Sequence, residues 1–126
     1  MKNIIITGTS RGIGYELALQ LANSGNQILA ISRKTPQELI DHSNVTCLSI
    51  DLSVDEEVNQ VEDFLSHTWK NVDVIIHNAG ALLFKPFLET TTADFEKIYK
   101  VNVFGLASLT RICVPFMTKG SHVVTI

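Results

Sequence analysis

Short apolar runs alternate with segments of helical periodicity along the whole chain. Runs rich in β-branched residues are typical of strands that are buried on both faces of a parallel sheet. Five such runs predict strands at residues 3–7, 27–32, 45–50, 72–76 and 123–126. Apolar positions spaced three or four residues apart predict the helices between them. These helices cover residues 12–24, a short segment at 35–41, residues 53–65 and two adjoining segments between 92 and 117.

Local signals predict where several helices begin and end. The sequence Ser53-Val54-Asp55-Glu56 matches a capping box, which predicts Ser53 as the N-cap of the third helix. Thr92 is predicted to begin the next long helix, and Pro115 is expected to weaken the last turns before residue 117.

Repeated alternation of strand and helix predicts a single α/β domain over residues 1–126. Right-handed crossovers favour a Rossmann-like, doubly wound parallel sheet with the strand order 3-2-1-4-5. The closing run, residues 122–126, has the pattern of a buried strand, and no turn follows it. A strand left at a sheet edge exposes unpaired backbone groups. We therefore expect the chain to be the N-terminal portion of a longer domain, truncated after the fifth strand.

Composition narrows the possible partners and compartments. The net charge of −3 gives no basic surface, so neither nucleic acid nor a membrane is an expected partner. The sequence has no apolar run long enough to span a bilayer and no signal peptide, which makes the cytoplasm the expected compartment. Cys47 and Cys113 are interpreted as buried apolar side chains, and the four histidines do not cluster, so no metal site is expected.

A glycine-rich loop, TGTSRGIG at residues 7–14, joins the first strand to the first helix. Glycine at 8, 12 and 14 allows a sharp turn and removes the Cβ atoms that would block a phosphate, while the helix start favours a negative charge. The spacing is neither G-x-G-x-x-G nor that of a Walker loop. By itself, the glycine trio also suits a tight turn that binds no ligand.

Three further motifs follow at the expected places: Asp51-Leu52 after the third strand, Asn78-Ala79-Gly80 after the fourth, and Asn102 within residues 101–105. Together with the loop, they make the whole chain resemble the short-chain dehydrogenase/reductase family. The resemblance implies that the loop binds a dinucleotide and that Asp51 and Leu52 meet its adenine. The other cofactor-binding residues that it implies are Gly8, Ser10, Arg11, Gly12, Ile13, Gly14, Asn78, Ala79 and Gly80.

Asn102 matches the helix asparagine of the catalytic tetrad of the resembled family, although a polar residue inside a packed helix is the alternative interpretation. His77 stands where the family more often has Asn, and we interpret it as a strand-end residue rather than a catalyst.

The end of the second strand bears on the choice of cofactor. NAD-binding sites place an acid there to bind the ribose 2′-hydroxyl, but this strand ends Ile31-Ser32-Arg33-Lys34 and no acid follows until Glu38. Arg33, together with Lys34, would instead meet a 2′-phosphate, with Ser32 donating a hydrogen bond, and Arg11 in the glycine loop adds a second positive charge. Solvated loop charges are the alternative interpretation. The pattern favours NADP(H) over NAD(H).

The resemblance implies hydride transfer between a nicotinamide and a small-molecule carbonyl or alcohol, with Ser, Tyr, Lys and Asn as catalysts. The sequence contains no Tyr-x-x-x-Lys, because Leu19 follows Tyr15 and Val103 follows Tyr99 at that spacing. The leading hypothesis is the cofactor-binding half of an NADP(H)-dependent oxidoreductase, inactive by itself. The alternative is a non-catalytic dinucleotide-binding sensor or scaffold. A nucleotide-sugar epimerase would space its glycines differently.

Residues 92–117 resemble the helices that make dimer contacts in the family, which implies a homodimer. Their apolar positions could equally form intramolecular core. These positions are Phe95, Ile98, Val103, Leu106, Leu109 and Ile112.

Overall fold

The computed structural model describes all 126 residues. Its five strands are parallel and form one sheet in the order β3-β2-β1-β4-β5, which confirms the predicted doubly wound topology. The carboxyl ends of all five strands therefore lie at one edge of the sheet. The strands are β1 Asn3–Thr7, β2 Gln27–Ser32, β3 Val45–Ser49, β4 Val74–His77 and β5 His122–Thr125.

Six α-helices connect the strands: α1 Gly12–Asn23, α2 Gln37–Ile40, α3 Asp55–Val58, α4 Gln60–Phe64, α5 Thr92–Tyr99 and α6 Leu106–Cys113. A π-helical turn, Leu65–Trp69, follows α4, and another, Lys100–Gly105, joins α5 to α6. The two adjoining predicted helices are thus one continuous helical segment. Short 3₁₀ turns occur at Phe87–Glu89 and Val114–Phe116, and the second contains Pro115, where weakened turns were expected. No helix combines the length and apolar character that crossing a membrane requires.

Two apolar cores lie on opposite faces of the sheet. Because side chains alternate along a strand, Ile4 and Ile6 of β1 join one core, with Ala18 of α1, and Ile5 joins the other, with Leu109 of α6. This two-sided burial explains why the central strands read as continuous apolar runs. It also places α1 and α6 on opposite faces of the sheet, so that the edge where the strands end lies between them.

The prediction that Ser53 caps the third helix is wrong. Helix α3 has Val54 at its N-cap position, with no side-chain cap. The backbone N–H and the hydroxyl of Ser53 both donate to Asp51 Oδ1, at 2.9 and 2.6 Å. The Ser53 side chain is therefore bonded to Asp51, two residues earlier in the chain, and not to the backbone of the helix. A full capping box occurs instead at Thr91 and Asp94, one residue before the predicted helix start at Thr92.

The last two strands differ from their predictions in different ways. Strand β5 pairs with β4 as predicted, but it is exposed rather than buried, with Val123 49% accessible. An apolar run reports strand propensity but does not report what covers the strand. Strand β4 begins at Val74 rather than Val72, because the Val72 N–H donates to the Phe116 carbonyl at 2.9 Å instead of joining the sheet.

Candidate functional site

The glycine-rich loop follows β1 at the edge where the strands end. Gly8 and Gly12 adopt φ values of +73° and +62°, a left-handed conformation that favours glycine. Gly14 is required for a different reason, since a Cβ atom there would lie 2.2 Å from the Gly8 carbonyl oxygen. The first turn of α1 therefore rests against the loop backbone. Ile13, in the same turn, is exposed.

Thr7 joins the glycine loop to the turn after β4. Its buried hydroxyl oxygen accepts hydrogen bonds from the backbone N–H groups of Asn78 and Ala79, each at 3.0 Å. In return, Asn78 Nδ2 donates to the Gly8 carbonyl at 3.2 Å. The strand order reverses between β1 and β4, and ligands of open α/β sheets bind in the crevice at such a reversal. The residues predicted from the loop and from Asn78-Ala79-Gly80 do lie together at this crevice.

Three features at the start of α1 fit an anionic ligand. The Thr9 hydroxyl is fully buried and has no hydrogen-bond partner. A Cβ atom added at Gly12 would meet nothing within 4 Å, so open space lies in front of the loop. No side chain caps the helix at Arg11, which leaves the first backbone N–H groups of α1 without a side-chain acceptor. A phosphate at this position would accept hydrogen bonds from the first backbone N–H groups of α1.

A cleft of about 790 Å³ lies beside the loop and is lined mainly by polar and charged residues: Ser10, Arg11, Arg33, Lys34, Thr35 and Pro36. Its three cationic residues form no salt bridge, because the two salt bridges of the structure are Lys85–Asp94 and Lys100–Asp55. The cleft is therefore an electropositive site with its charges available.

Two serine hydroxyls fix the backbone that carries these cations. Ser32 Oγ donates to the Lys34 carbonyl at 2.7 Å, and Ser49 Oγ donates to the Arg33 carbonyl at 2.9 Å. Ser32 is buried at the end of β2 and does not line the cleft. Its hydroxyl thus orders the turn after β2, while the sequence predicted a direct contact with the cofactor.

Asp51 and Leu52 follow β3 at the same edge. Hydrogen bonds from Ser53 hold the pKa of the Asp51 carboxyl below its usual value, and the positive charge of Arg33 acts in the same direction. Leu52 is buried against the end of the π-helical turn Lys100–Gly105. A Cβ atom added at Gly105 would lie 2.7 Å from the Leu52 carbonyl oxygen. Gly105 therefore allows the helical segment to approach the loop after β3.

Asn102 lies in the π-helical turn and contacts the chain just after Gly80. Its Oδ1 accepts from the Ala81 N–H at 2.7 Å, and its Nδ2 donates to the Ala81 carbonyl at 2.9 Å. Both side-chain atoms hold the backbone that follows the Asn78-Ala79-Gly80 turn. His77, buried at the end of β4, contacts Thr110 of α6 through Nε2 at 2.8 Å, and burial lowers its pKa.

A second cleft, of about 340 Å³, lies next to Asn102 between the loop after Ala81 and helix α5. It is mainly apolar, but Lys85 and Asp94 form an ion pair in its wall at 2.9 Å. Hydrogen bonds from the Thr91 backbone, and then from Lys85, lower the pKa of Asp94 to about 2.

The apolar positions proposed for dimer contacts divide into two groups. Leu109 is fully buried in the core beneath β4, and Ile112 packs against the same core. Phe95 and Val103 are each 45% exposed. Ile98 and Leu106 are only partly exposed, so Phe95 and Val103 are the positions most available to another molecule.

Sequence reasoning assigned no separate role to the Thr7 hydroxyl, to Ser49 or to Thr35. A threonine that closes a buried apolar strand needs a hydrogen-bond partner, which is a signal for Thr7. Ser49 and Thr35 carried no such signal, because their roles depend on the neighbouring strand and turn.

Comparison with known proteins gives consistent matches along the chain. The family model described as short chain dehydrogenase matches residues 2–126. Probable short-chain type dehydrogenase/reductase VdlC of Helicobacter pylori is 32% identical over 90% of this chain and 42% of its own length. NADPH-dependent 1-acyldihydroxyacetone phosphate reductase of Saccharomyces cerevisiae is 32% identical over 98% of this chain and 44% of its own.

Among solved structures, a short-chain dehydrogenase from Streptomyces avermitilis superposes with a TM-score of 0.83 at 28% identity. The match covers 91% of this chain and 45% of that structure. The chain thus spans less than half the length of each of these three relatives.

Proposed function

The chain belongs to the short-chain dehydrogenase family, and we propose that it is the cofactor-binding portion of an NADP(H)-dependent oxidoreductase. The intact enzyme would act on a small-molecule carbonyl or alcohol. The observation that carries the cofactor preference is the electropositive cleft after β2, in which Arg11, Arg33 and Lys34 have no carboxylate partner. A relative described as NADPH-dependent supports the same preference.

The residues of the crevice suit each part of such a cofactor. The glycine loop and the first turn of α1 would bind the pyrophosphate, with Asp51 and Leu52 beside the adenine. Arg11 and Arg33 would bind the 2′-phosphate, to which Arg can donate two parallel hydrogen bonds. Bound nicotinamide supplies the hydride. The role of this chain is to orient the cofactor, and Asn102 would hold the turn that borders it.

We expect the 126-residue chain to bind cofactor without turnover. Of the four catalytic residues that the family resemblance implies, only Asn102 has a counterpart in these residues. Neither tyrosine of the chain can replace the catalytic tyrosine. The Tyr15 hydroxyl donates a hydrogen bond to Glu38, and Tyr99 has no lysine four residues later. The same geometry suits a non-catalytic sensor or scaffold. Assaying the intact protein for carbonyl reduction separates the two functions.

Arg33→Asp is expected to weaken NADPH binding by about 10- to 100-fold, because a charge-assisted hydrogen bond contributes about 1.5–3 kcal/mol. NADH lacks the 2′-phosphate, so its affinity should change by less than about threefold. Titration of both nucleotides, followed by fluorescence or calorimetry, measures the two dissociation constants.

Lys119→Asp is the matched control for this change in charge. Lys119 is exposed and precedes β5, at the edge of the sheet opposite the cleft. Lys119→Asp should therefore leave the affinities for NADPH and for NADH unchanged. Equal losses of NADPH and NADH binding in Arg33→Asp would contradict the proposed preference for NADP(H).

The exposed apolar residues of the helical segment support a homodimer as a further part of this proposal. Phe95 and Val103 are joined on this surface by Tyr99, which is 53% exposed, and Phe104, which is 55% exposed. Burying such side chains against a second copy removes apolar area from water. Sedimentation equilibrium over a range of protein concentrations measures the association.

A further inference from the structure

A hydrogen bond between the side chains of Tyr15 and Glu38 joins two helices that flank the electropositive cleft. The Tyr15 hydroxyl, on α1, donates a hydrogen bond to Glu38 Oε2, on α2. The tyrosine ring packs against the core on that face of the sheet, while the carboxylate is exposed. This hydrogen bond, followed by burial, raises the pKa of Tyr15 above its usual value.

Glu38 is close in sequence to residues that line the cleft. It lies in the first turn of α2, and the N-cap of that helix, Pro36, lines the cleft together with Thr35 and Lys34. Nevertheless, Glu38 forms no salt bridge with any cation of the cleft. Its carboxylate is bonded to Tyr15 instead.

Two other acids, one at the end of α2 and one after β3, also accept hydrogen bonds from other residues. Asp41, at the end of α2, accepts a hydrogen bond from Gln37 Nε2 at 2.8 Å. Asp51, whose pKa is affected by Arg33, accepts two hydrogen bonds from Ser53. The positive charge of the cleft thus depends on where the neighbouring carboxylates are bound.

We propose that Tyr15 is a specificity-determining residue, because its hydroxyl holds Glu38 away from Arg33 and Lys34 and so leaves their charges available to a 2′-phosphate. The inference rests on the proposed preference for NADP(H) and adds a residue outside the cleft to it. Without the hydroxyl, Glu38 competes with the phosphate for the same cations.

The test compares two ligands that differ only in the 2′-phosphate, adenosine 2′,5′-bisphosphate and adenosine 5′-monophosphate. Calorimetric titration gives the ratio of their affinities. Tyr15→Phe keeps the packed ring and is expected to lower this ratio by about two- to fivefold, the range of an exposed ion pair. The affinity for the monophosphate should stay the same.

Two further variants separate competition by Glu38 from a structural effect. Tyr15→Phe/Glu38→Gln removes the competing charge and should restore the ratio to the wild-type value or above it. Tyr99→Phe makes the same substitution on an exposed face of α5 and should leave the ratio unchanged.

The possible results distinguish the inference from the proposed function. If the wild-type protein binds both ligands equally, the preference for NADP(H) fails, and the inference fails with it. If the wild type prefers the bisphosphate but Tyr15→Phe keeps the ratio, only the inference is overturned. It is also overturned if Tyr15→Phe weakens both ligands equally, or if the double variant does not recover the ratio.

Discussion

Gly14→Ala is expected to lower the free energy of unfolding by about 3 kcal/mol and the melting temperature by about 10 °C. The new Cβ atom would lie 2.2 Å from the Gly8 carbonyl oxygen and 2.5 Å from Asn78 Nδ2. Neither atom can move freely, since the first is backbone and the second donates a hydrogen bond to it. The loop must shift away from α1, so nucleotide binding should be lost as well. Thermal unfolding and NADPH titration measure the two effects.

Gly80→Ala is the matched control for stability. Gly80 lies at the same edge of the sheet, and the nearest atom to an added Cβ there is Asn102 Oδ1 at 3.4 Å. Its stability should stay within about 0.5 kcal/mol of the wild type. Gly14 lies within α1, where alanine favours the helix over glycine by about 1 kcal/mol, so Gly14→Ala would stabilise the protein if there were no clash. A Gly14→Ala protein as stable as the wild type would therefore show that α1 does not rest on the loop as described.

The strands and their order could be predicted because they depend on local pattern and chain handedness. The predicted β1 and β2 have the bounds that the structure shows, and β3 differs by one residue at its end. The exposure of β5 could not be predicted in the same way. The sequence of β5 resembles that of β1, and the difference lies in which elements cover each strand.

The helix caps show how a neighbouring side chain can decide between equal local signals. Ser53 and Thr91 each stand three residues before an acid, so both have the pattern of a capping box. Only Thr91 forms one, whereas the backbone N–H of Ser53, which a capping box would bond to the acid three residues later, donates to Asp51. The pattern itself did not include the competing acceptor.

The residues of the candidate site could be predicted from the sequence, but the contacts between them could not. Motif spacing indicated that the glycine loop, Asn78-Ala79-Gly80 and Asn102 belong to one site, and the structure does bring them together at one edge. The contacts that hold them could not be predicted, since they join residues far apart in the chain. Asn102 and Ala81 are separated by 21 positions, Tyr15 and Glu38 by 23, and Thr7 and Asn78 by 71.

Among these contacts, that of Thr7 should have the largest effect on stability. Thr7→Val keeps the size and branching of the side chain but removes the acceptor for two backbone N–H groups. An unsatisfied buried donor costs about 1–3 kcal/mol, so the free energy of unfolding should fall by about 2–4 kcal/mol. NADPH affinity should fall too, because the glycine loop and the Asn78-Ala79 turn would separate. Urea unfolding and nucleotide titration measure these losses.

Thr7→Ser distinguishes the hydrogen bonds from the packing of the side chain. Serine keeps the oxygen that accepts from Asn78 and Ala79 and loses one buried methyl group, which costs about 1 kcal/mol. If hydrogen bonding holds the crevice together, Thr7→Ser should be the more stable variant and should retain NADPH binding. If packing alone fixed β1 against β4, the order would reverse, because valine fills the buried position as well as threonine. The relative stability of the two variants therefore tests whether the Thr7 hydroxyl joins the two halves of the site.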